Sequence, residues 1–457
     1  MKNILIVISK DIIRRNIIDT DFWLEFYKRN KKEKNTITFL VEEKRVDYFR
    51  EELPADVAVR GFTRVKKSLY EKVVNFLVRT GVYSHSVTTY RMRALKRGQA
   101  SLVATIVKAG IGVLFARFSW YQSFIRTLVL QITPPQGIKK VFDEGDFDSI
   151  FVPSLIDNEF DVLVAVEAKR RNIQVVGMVR SWDNLNNHGL LAVIPDIFIF
   201  QNRWLIEAAK KFQHIDIIEP EKMIVGLPHY DIYKNPKKYL VPRKVFCDAL
   251  GIDSDKKILF IGGSDFYYSE DELPKILNDA IEKNEIKEPA HVIFRPHPAS
   301  LFSIEEYGLN TLPHITLDPT FVNKEKVFFS DAERFVNLMY HADVVINIAS
   351  TLSIDAAVFD TPAICINFDS KSKHLSYWEQ VGRLYDHFDH YEKLVATGGA
   401  VTPESSEALI QNINTYFENP KKDAEGRKEV IKTFVAPFDG FSGKRLAEIV
   451  FESVCCK

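Results

Sequence analysis

The chain has 457 residues, too many for one ordinary core and suited to two domains of about 200 residues each. Its 46% hydrophobic and 27% charged content is that of a globular protein, and 61 basic against 61 acidic residues mean that overall charge selects no partner. Four cysteines (Cys247, Cys365, Cys455, Cys456), with no CxxC pair or Cys/His ligand spacing, exclude a disulfide framework and a structural zinc site and fit a reducing, cytoplasmic compartment.

Met1–Ser9 is a charge followed by a short apolar run, without the length or small-residue cleavage site of a signal peptide, and reads as a buried strand. Strands are predicted at Ile4–Ser9, Thr36–Val41, Ser149–Pro153, Gln174–Val179 and Asp196–Phe200, then at Lys257–Ile261, His291–Arg295, Val344–Ile348 and Ala363–Ile366. Each is a near-continuous apolar run separated by helical-period segments, the pattern of βαβ units and parallel sheets covered on both faces. The expected class is therefore α/β, with two Rossmann-like domains. Asp231–Pro242 carries two prolines and three lysines and loses the hydrophobic period, so it marks a linker. The boundary is set near 238: domain one over 1–237, domain two over 238–457, the last helix packing back on domain one.

From Lys72 to Phe142 there is no Asp or Glu but there are eleven basic residues, interleaved with aromatics such as Tyr83, Phe115, Trp120 and Phe124. This reads as a basic helical insertion at about 64–140. Two accounts fit it: helices packed on the sheet with a solvated basic face, or an amphipathic surface docking on anionic lipid. No nucleic-acid motif accompanies the charge. The longest apolar run within it, Leu102–Ala116, is interrupted by Lys108 and is too short to span a bilayer.

Ligands of doubly wound sheets bind at the carboxyl ends of the strands, and four strand ends are unusual. Arg295-Pro-His-Pro298 fixes His297 between prolines beside a guanidinium, a suitable grip on a phosphate. After Val344–Ile348, Ser350 and Thr351 open a helix with hydroxyls and N–H groups, and Asp355 lies one turn in, where a carboxylate suits ribose. Gly262-Gly263-Ser264 allows close backbone approach without the GxGxxG spacing of an NAD site. Arg180-Ser-Trp-Asp-Asn-Leu-Asn-Asn-His-Gly189 supplies Asp183 and His188 as candidate bases, with Arg180, Trp182 and Asn184 on the acceptor side; the competing account is a turn anchored by Trp182. His229, in Pro228-His-Tyr-Asp231, either lines the acceptor side or packs. Asp143-Glu-Gly-Asp146 precedes a strand and reads as a turn, and His387 and His390 lack a third metal ligand. No P-loop, GxSxG or HExxH occurs.

On these residues the second half resembles the donor domain of bacterial GT-B transferases: the His297-Pro298 turn and the Ser350-Thr351 helix start match CDP-glycerol glycerophosphotransferase-like, sialyl- and Kdo-type enzymes. Ser350–Ile366 is also similar to the non-hydrolysing UDP-GlcNAc 2-epimerases, with Asp355 nearest their ribose-binding carboxylate. Phe438-Asp-Gly-Phe-Ser-Gly-Lys-Arg445 resembles the DG-x-[AS]-x-x-R segment closing many glycerophosphotransferase-like chains, and Ser181–Leu185 is similar to a loop in a further group of bacterial GT-B-like proteins. The likeness covers roughly 150–450, and residues 64–140 match none of these families.

The resemblance implies a GT-B fold with two parallel sheets facing a cleft. The expected activity is glycosyl transfer from a nucleotide-sugar substrate to a surface polysaccharide or lipid-linked glycan, inverting, with no metal or other cofactor. Asp183 acts as base, with His188 the other candidate, while His297 with Arg295 and Ser350 carries the leaving phosphate. The implied setting is cytoplasmic, with peripheral attachment to the inner face of the plasma membrane through 72–142. A CDP-glycerol or ribitol phosphotransferase is the alternative; the family's Trp-His-Gly is here Trp182-Asp183 with a separate His188-Gly189. An epimerase or a non-catalytic glycan-binding subunit stands behind both.

Overall fold

The computed structural model describes residues 1–63, 67–156, 158–264, 272–296, 308–318, 331–371 and 374–455. The chain forms two compact units, Met1–Lys234 together with Thr433–Lys457, and Asn235–Lys432. In the first, strands β1 (Asn3–Ile8), β2 (Thr36–Glu42), β3 (Ala58–Phe62), β4 (Ser149–Val152), β5 (Gln174–Met178) and β6 (Ile197–Ile199) form one sheet. In the second, β7 (Lys257–Gly262), β8 (Ala290–Arg295), β9 (Ile315–Leu317), β10 (Val344–Asn347), β11 (Ala363–Cys365) and β12 (Ala400–Val401) form another. The spatial orders are β3-β2-β1-β4-β5-β6 and β12-β11-β10-β7-β8-β9, each the Rossmann order with the topological switch beside its first strand. All pairings are parallel. Ile4 through Val7 and Ile258 through Ile261 are almost wholly buried, which explains why those strands are continuous apolar runs rather than alternating ones.

Three short edge strands were not predicted. β3 holds Arg60 and Gly61 inside Ala58–Phe62, and the Arg60 guanidinium donates to the Val141 and Glu144 carbonyls, so the strand lacks an apolar signature. β9 and β12 have three and two residues, too short for any period to show.

In the first unit α1 (Asp21–Lys32) covers one face, and the insertion supplies α2 (Leu69–Val78), α3 (His85–Lys96), α4 (Leu102–Phe115), α5 (Ser119–Leu130) and α6 (Gln136–Gly145). Ser68, Ser84 and Ser101 cap the first three of these through N–H groups of Glu71, Val87 and Ala104. α7 (Glu159–Arg170) follows β4, α8 (Arg203–Gln213) follows β6, and α9 (Leu352–Val358) follows β10 in the second unit.

The last helix, α10 (Ser442–Cys455), rejoins the first unit, with Leu446, Ala447 and Val450 in the core beside Phe22 and Phe26. Its attachment explains the Asp439-Gly-Phe-Ser-Gly-Lys-Arg445 motif. Asp231 accepts from the N–H groups of Ser442 (3.0 Å) and Gly443 (2.8 Å), while Arg445 pairs with Asp439 (2.6 Å) and donates to the Val225 carbonyl. A Cβ at Gly443 would lie 2.7 Å from the Phe22 backbone nitrogen, so only glycine lets α10 approach α1 this closely.

The acid-free stretch divides its basic residues between the interior of the unit and its surface. Its arginines are largely internal braces. Arg91 donates to the Lys108 and Arg79 carbonyls, Arg126 donates to those of Leu191 and Gln213, and Arg93 is buried. Burial pushes Arg91 and Arg126 each down to about 10. Much of what faces outward is apolar: Val103 is 72% exposed, Ile106 60% and Leu114 57%, with Phe118, Trp120 and Phe124 continuing the patch beside exposed Lys72, Arg79, Lys96, Arg117 and Lys140. Only Thr105 and Gly112 of α4 are buried. Among the described residues no helix is long and apolar enough to cross a membrane.

Candidate active site

In the first unit the chain leaves β5 through Val179 and enters the loop 180–189. Asn184, fully buried, accepts through Oδ1 from the N–H groups of Arg180 (3.1 Å) and Ser181 (3.0 Å), closing the loop on itself. Gln213 at the end of α8 clamps its far side, donating to the Leu185 and Gly189 carbonyls and accepting from Leu191. Trp182 is buried, its ring edge-on to Phe434 at 5.1 Å and its carbonyl accepting from Trp204 Nε1 (2.8 Å). Of the residues expected on the acceptor side, Trp182 and Asn184 are therefore the frame of the loop. Arg180 stays half-buried at the strand end.

This frame brings the two candidate bases together. His188 Nε2 lies 3.2 Å from Asp183 Oδ2, with both side chains about a fifth exposed. When Nε2 carries its proton toward the carboxylate, the basic lone pair sits on Nδ1, and Asp183 supports the imidazolium formed on proton uptake. The sequence spacing of five residues gave no hint of a pair; the single helical turn Asn184–Asn187 folds His188 back onto Asp183.

His188 also lines a cavity of about 420 Å³ within the first unit, walled by the ends of β3 and β4, by α2, α5, α6 and α7, and by Leu190. His229 is elsewhere. Its Nδ1 is buried without a hydrogen-bond partner, and desolvation, reinforced by nearby Arg15, pushes it down to about 3, so the ring is neutral and packs against Tyr230.

Beside the cavity is a cluster that sequence reasoning missed. Ser9 at the end of β1 donates to buried Asp161 Oδ2 at 2.8 Å and accepts from Asn158. Burial raises Asp161 to about 8, against the lowering effects of Ser9 and, less strongly, Lys10, Asn158 and Arg180. These residues lie in different elements, and only the fold joins them.

In the second unit the strand ends gather cationic and polar groups. Arg295, at the end of β8, reaches Asp318 at 3.6 Å, and Arg334 approaches the same buried carboxylate at 3.1 Å, leaving two guanidiniums on one acid. Gly263 N–H donates to the Arg295 carbonyl (2.8 Å), so Ser264 leaves the sheet beside that arginine. The space a Cβ at Gly262 would take is filled by the Leu352 side chain; this glycine serves strand–helix packing rather than approach to a ligand. His297 and Pro298 lie outside the described residues.

After β10 the loop is built from Asn347, which accepts from Ser350 N–H (3.1 Å) and donates to Ser353 Oγ (3.0 Å). Ala349 is left-handed (φ 43°), held by Tyr385, which accepts from its N–H (3.0 Å), and by Tyr391, which donates to its carbonyl. Ser350 is half-buried and accepts from Leu352 N–H, while Thr351 is exposed. Asp355 is buried and engaged within the protein. Tyr385 and Tyr391 thus buttress this loop. Among the described residues no three His, Cys, Asp or Glu side chains are grouped as metal ligands.

The profile of the CDP-glycerol:poly(glycerophosphate) glycerophosphotransferase family matches residues 194–452, more than half of the chain. The chain belongs to that family. It is therefore a transferase drawing on a nucleotide-activated donor, with the GT-B fold of two Rossmann-like units. Among solved structures it is similar to the UDP-GlcNAc 2-epimerase of Neisseria meningitidis bound to UDP-GlcNAc (12% identity, TM-score 0.53, covering 98% of this chain and 99% of that one). It is likewise similar to the UDP-GlcNAc 2-epimerase of Methanocaldococcus jannaschii (14% identity, TM-score 0.51, covering 98% and 99%). At these identities the likeness is one of fold. No functionally curated protein is significantly similar in sequence. The family match begins after the 180–189 loop, so the His188–Asp183 pair and the cavity lie outside the matched segment.

Proposed function

We propose that this family member transfers a glycerol- or ribitol-phosphate unit from a CDP-activated donor to a hydroxyl of a surface-polymer or lipid-linked acceptor. The observation that carries the reading is the His188–Asp183 pair on the wall of an open cavity, in a chain whose residues 194–452 match the glycerophosphotransferase family. His188 accepts the acceptor's proton, and the freed oxygen attacks the phosphorus that bears the polyol. The P–O bond to CMP breaks, and CMP leaves with the electron pair. Arg295 and the Ser350–Thr351 loop of the second unit suit the donor phosphates.

Sugar transfer is the second reading, favoured by Asp183 standing directly after Trp182, where the family's acceptor motif places histidine. The released nucleotide separates the two. Incubation with CDP-glycerol and a glycerol-phosphate oligomer should yield CMP and a lengthened oligomer, whereas sugar transfer from a UDP-sugar yields UDP. Release of neither above the buffer rate would defeat both readings.

We infer as well that the enzyme works on an anionic membrane surface. The exposed face of α4 and the Phe118–Phe124 segment is apolar, includes Trp120, and is accompanied by exposed Lys96 and Arg117. At fourteen residues α4 is about 21 Å long, short of a bilayer core but suited to lying in its interface.

A further inference from the structure

The cavity of the first unit has two kinds of wall. Its interior is apolar and buried: Val129, Ile132, Ile138, Leu155, Ile156 and Leu190. Its half-exposed or exposed members include Lys10, Lys67, Arg79 and His188 on the basic side and Glu71 and Glu159 on the acidic side. The two acids are already committed. Glu159 pairs with Lys67, and the Glu71 carboxylate accepts from Ser68 N–H at 2.6 Å in the cap of α2. Arg79, by contrast, has no carboxylate partner among the described residues and stands near Lys108 and Arg91. A site of about 420 Å³ lies within the range of small-ligand pockets. An apolar interior under a net-positive rim selects a ligand that is greasy at one end and anionic at the other.

We propose that the cavity takes the single alkyl or prenyl chain of a phosphate-headed amphiphile, with Lys10 and Arg79 holding the anionic head. Three observations converge on this occupant. The walls α5 and α6 belong to the same insertion whose outer surface presents Val103, Ile106, Leu114 and Trp120 to solvent, so an exposed apolar surface adjoins the cavity-forming helices. The positive rim rejects a neutral hydrocarbon as the best ligand. His188 on the cavity wall puts the base beside the anionic head, so that a hydroxyl-bearing group carried on that phosphate is the acceptor; this last step rests on the reading given under Proposed function.

Binding of dodecyl phosphate and of dodecanol is measured by equilibrium dialysis below their aggregation concentrations. Wild-type protein should bind dodecyl phosphate saturably at one site and dodecanol at least fivefold more weakly. Ile138→Trp, which fills the interior, should weaken dodecyl phosphate at least tenfold, and Arg79→Gln should weaken dodecyl phosphate while leaving dodecanol unchanged. In a second measurement a diazirine at the chain end of dodecyl phosphate should cross-link residues 129–138 or 155–163. Absence of saturable binding, or cross-links confined to 102–124, overturns the proposal even where Ile138→Trp fails to fold. Release of CMP from CDP-glycerol by wild-type protein is assayed separately, because its failure removes the transferase reading and leaves the binding result standing.

Discussion

Each sheet of this chain places a buried aspartate near its strand ends, and the two are treated in opposite ways. In the first unit Asp161 is met by the Ser9 hydroxyl and by burial, and rises to about 8, so near neutrality it is largely a neutral acid. In the second unit Asp318 is met by the guanidiniums of Arg295 and Arg334. Both sheets have the same strand order, so the difference owes nothing to topology. It lies in which residues follow the strands: apolar groups and a His–Asp pair in one, cations and helix-start hydroxyls in the other. On the function proposed above, the first surface takes apolar matter beside a base and the second takes phosphate, on one and the same fold.

The sharpest way to break that contrast is at the base. His188→Ala should lower kcat/KM for acceptor at least a thousandfold, about 4 kcal/mol, while affinity for CDP changes less than twofold. Asp183→Asn should cost less, because it removes the orienting partner and leaves the imidazole. Steady-state kinetics with CDP binding by calorimetry decides it. Loss of CDP binding in His188→Ala would mean that acceptor activation and donor binding are not divided between the two surfaces.

The outward face of the insertion comes next. Val103→Ser, Ile106→Ser and Leu114→Ser combined should weaken binding to anionic vesicles about a hundredfold, since each exposed apolar side chain contributes on the order of 1 kcal/mol on insertion. Replacing Arg91 and Arg93, which are engaged inside the unit, should lower stability instead. Equal vesicle binding by the serine variant in co-sedimentation would show that the patch serves another contact.

Arg295→Ala should weaken CDP binding about tenfold, or 1.4 kcal/mol, because one of the two guanidiniums on Asp318 is lost while Arg334 keeps the acid paired. Unchanged affinity would remove the strand end of β8 from the donor site.

Much of this contrast was legible in the sequence, but unevenly. Nine strands announced themselves because buried parallel strands must be apolar throughout, and the linker did so by its prolines and lysines. The residues proposed for the phosphate side were chosen by their position after strands, since a strand end is a local feature. Gly262 misled because a glycine at a strand end looks alike whether its empty space admits a ligand or a leucine. The acid-free stretch was legible only in part: a basic composition does not reveal that Arg91 and Arg126 turn inward to satisfy carbonyls or that Arg93 is buried. Asp161 with Ser9, and the cavity walls drawn from six elements, depend on tertiary proximity alone, for which no spacing rule exists.

The last prediction is one of stability rather than activity; it concerns Asp161 and tests the opening comparison directly. An ordinary aspartate releases its proton near 4, whereas the folded chain holds this one until about 8. Between those values the native state binds more protons than the unfolded chain, so stability must fall as pH rises, by up to about 1.4 kcal/mol per pH unit from this group. Asp161→Asn preserves the shape of the neutral acid and cannot ionise. Urea unfolding of the variant should match wild type near pH 4, exceed it progressively from pH 5 to 8, and run parallel to it above pH 9. Asp318→Asn should do the reverse and destabilise at every pH in this range, because it strands two guanidiniums beside a neutral amide. Parallel pH profiles for wild type and Asp161→Asn would mean that Asp161 is ionised in the fold, with Lys10 and Arg180 supplying the compensation that Arg295 and Arg334 supply to Asp318, and the two surfaces would then be electrostatically alike.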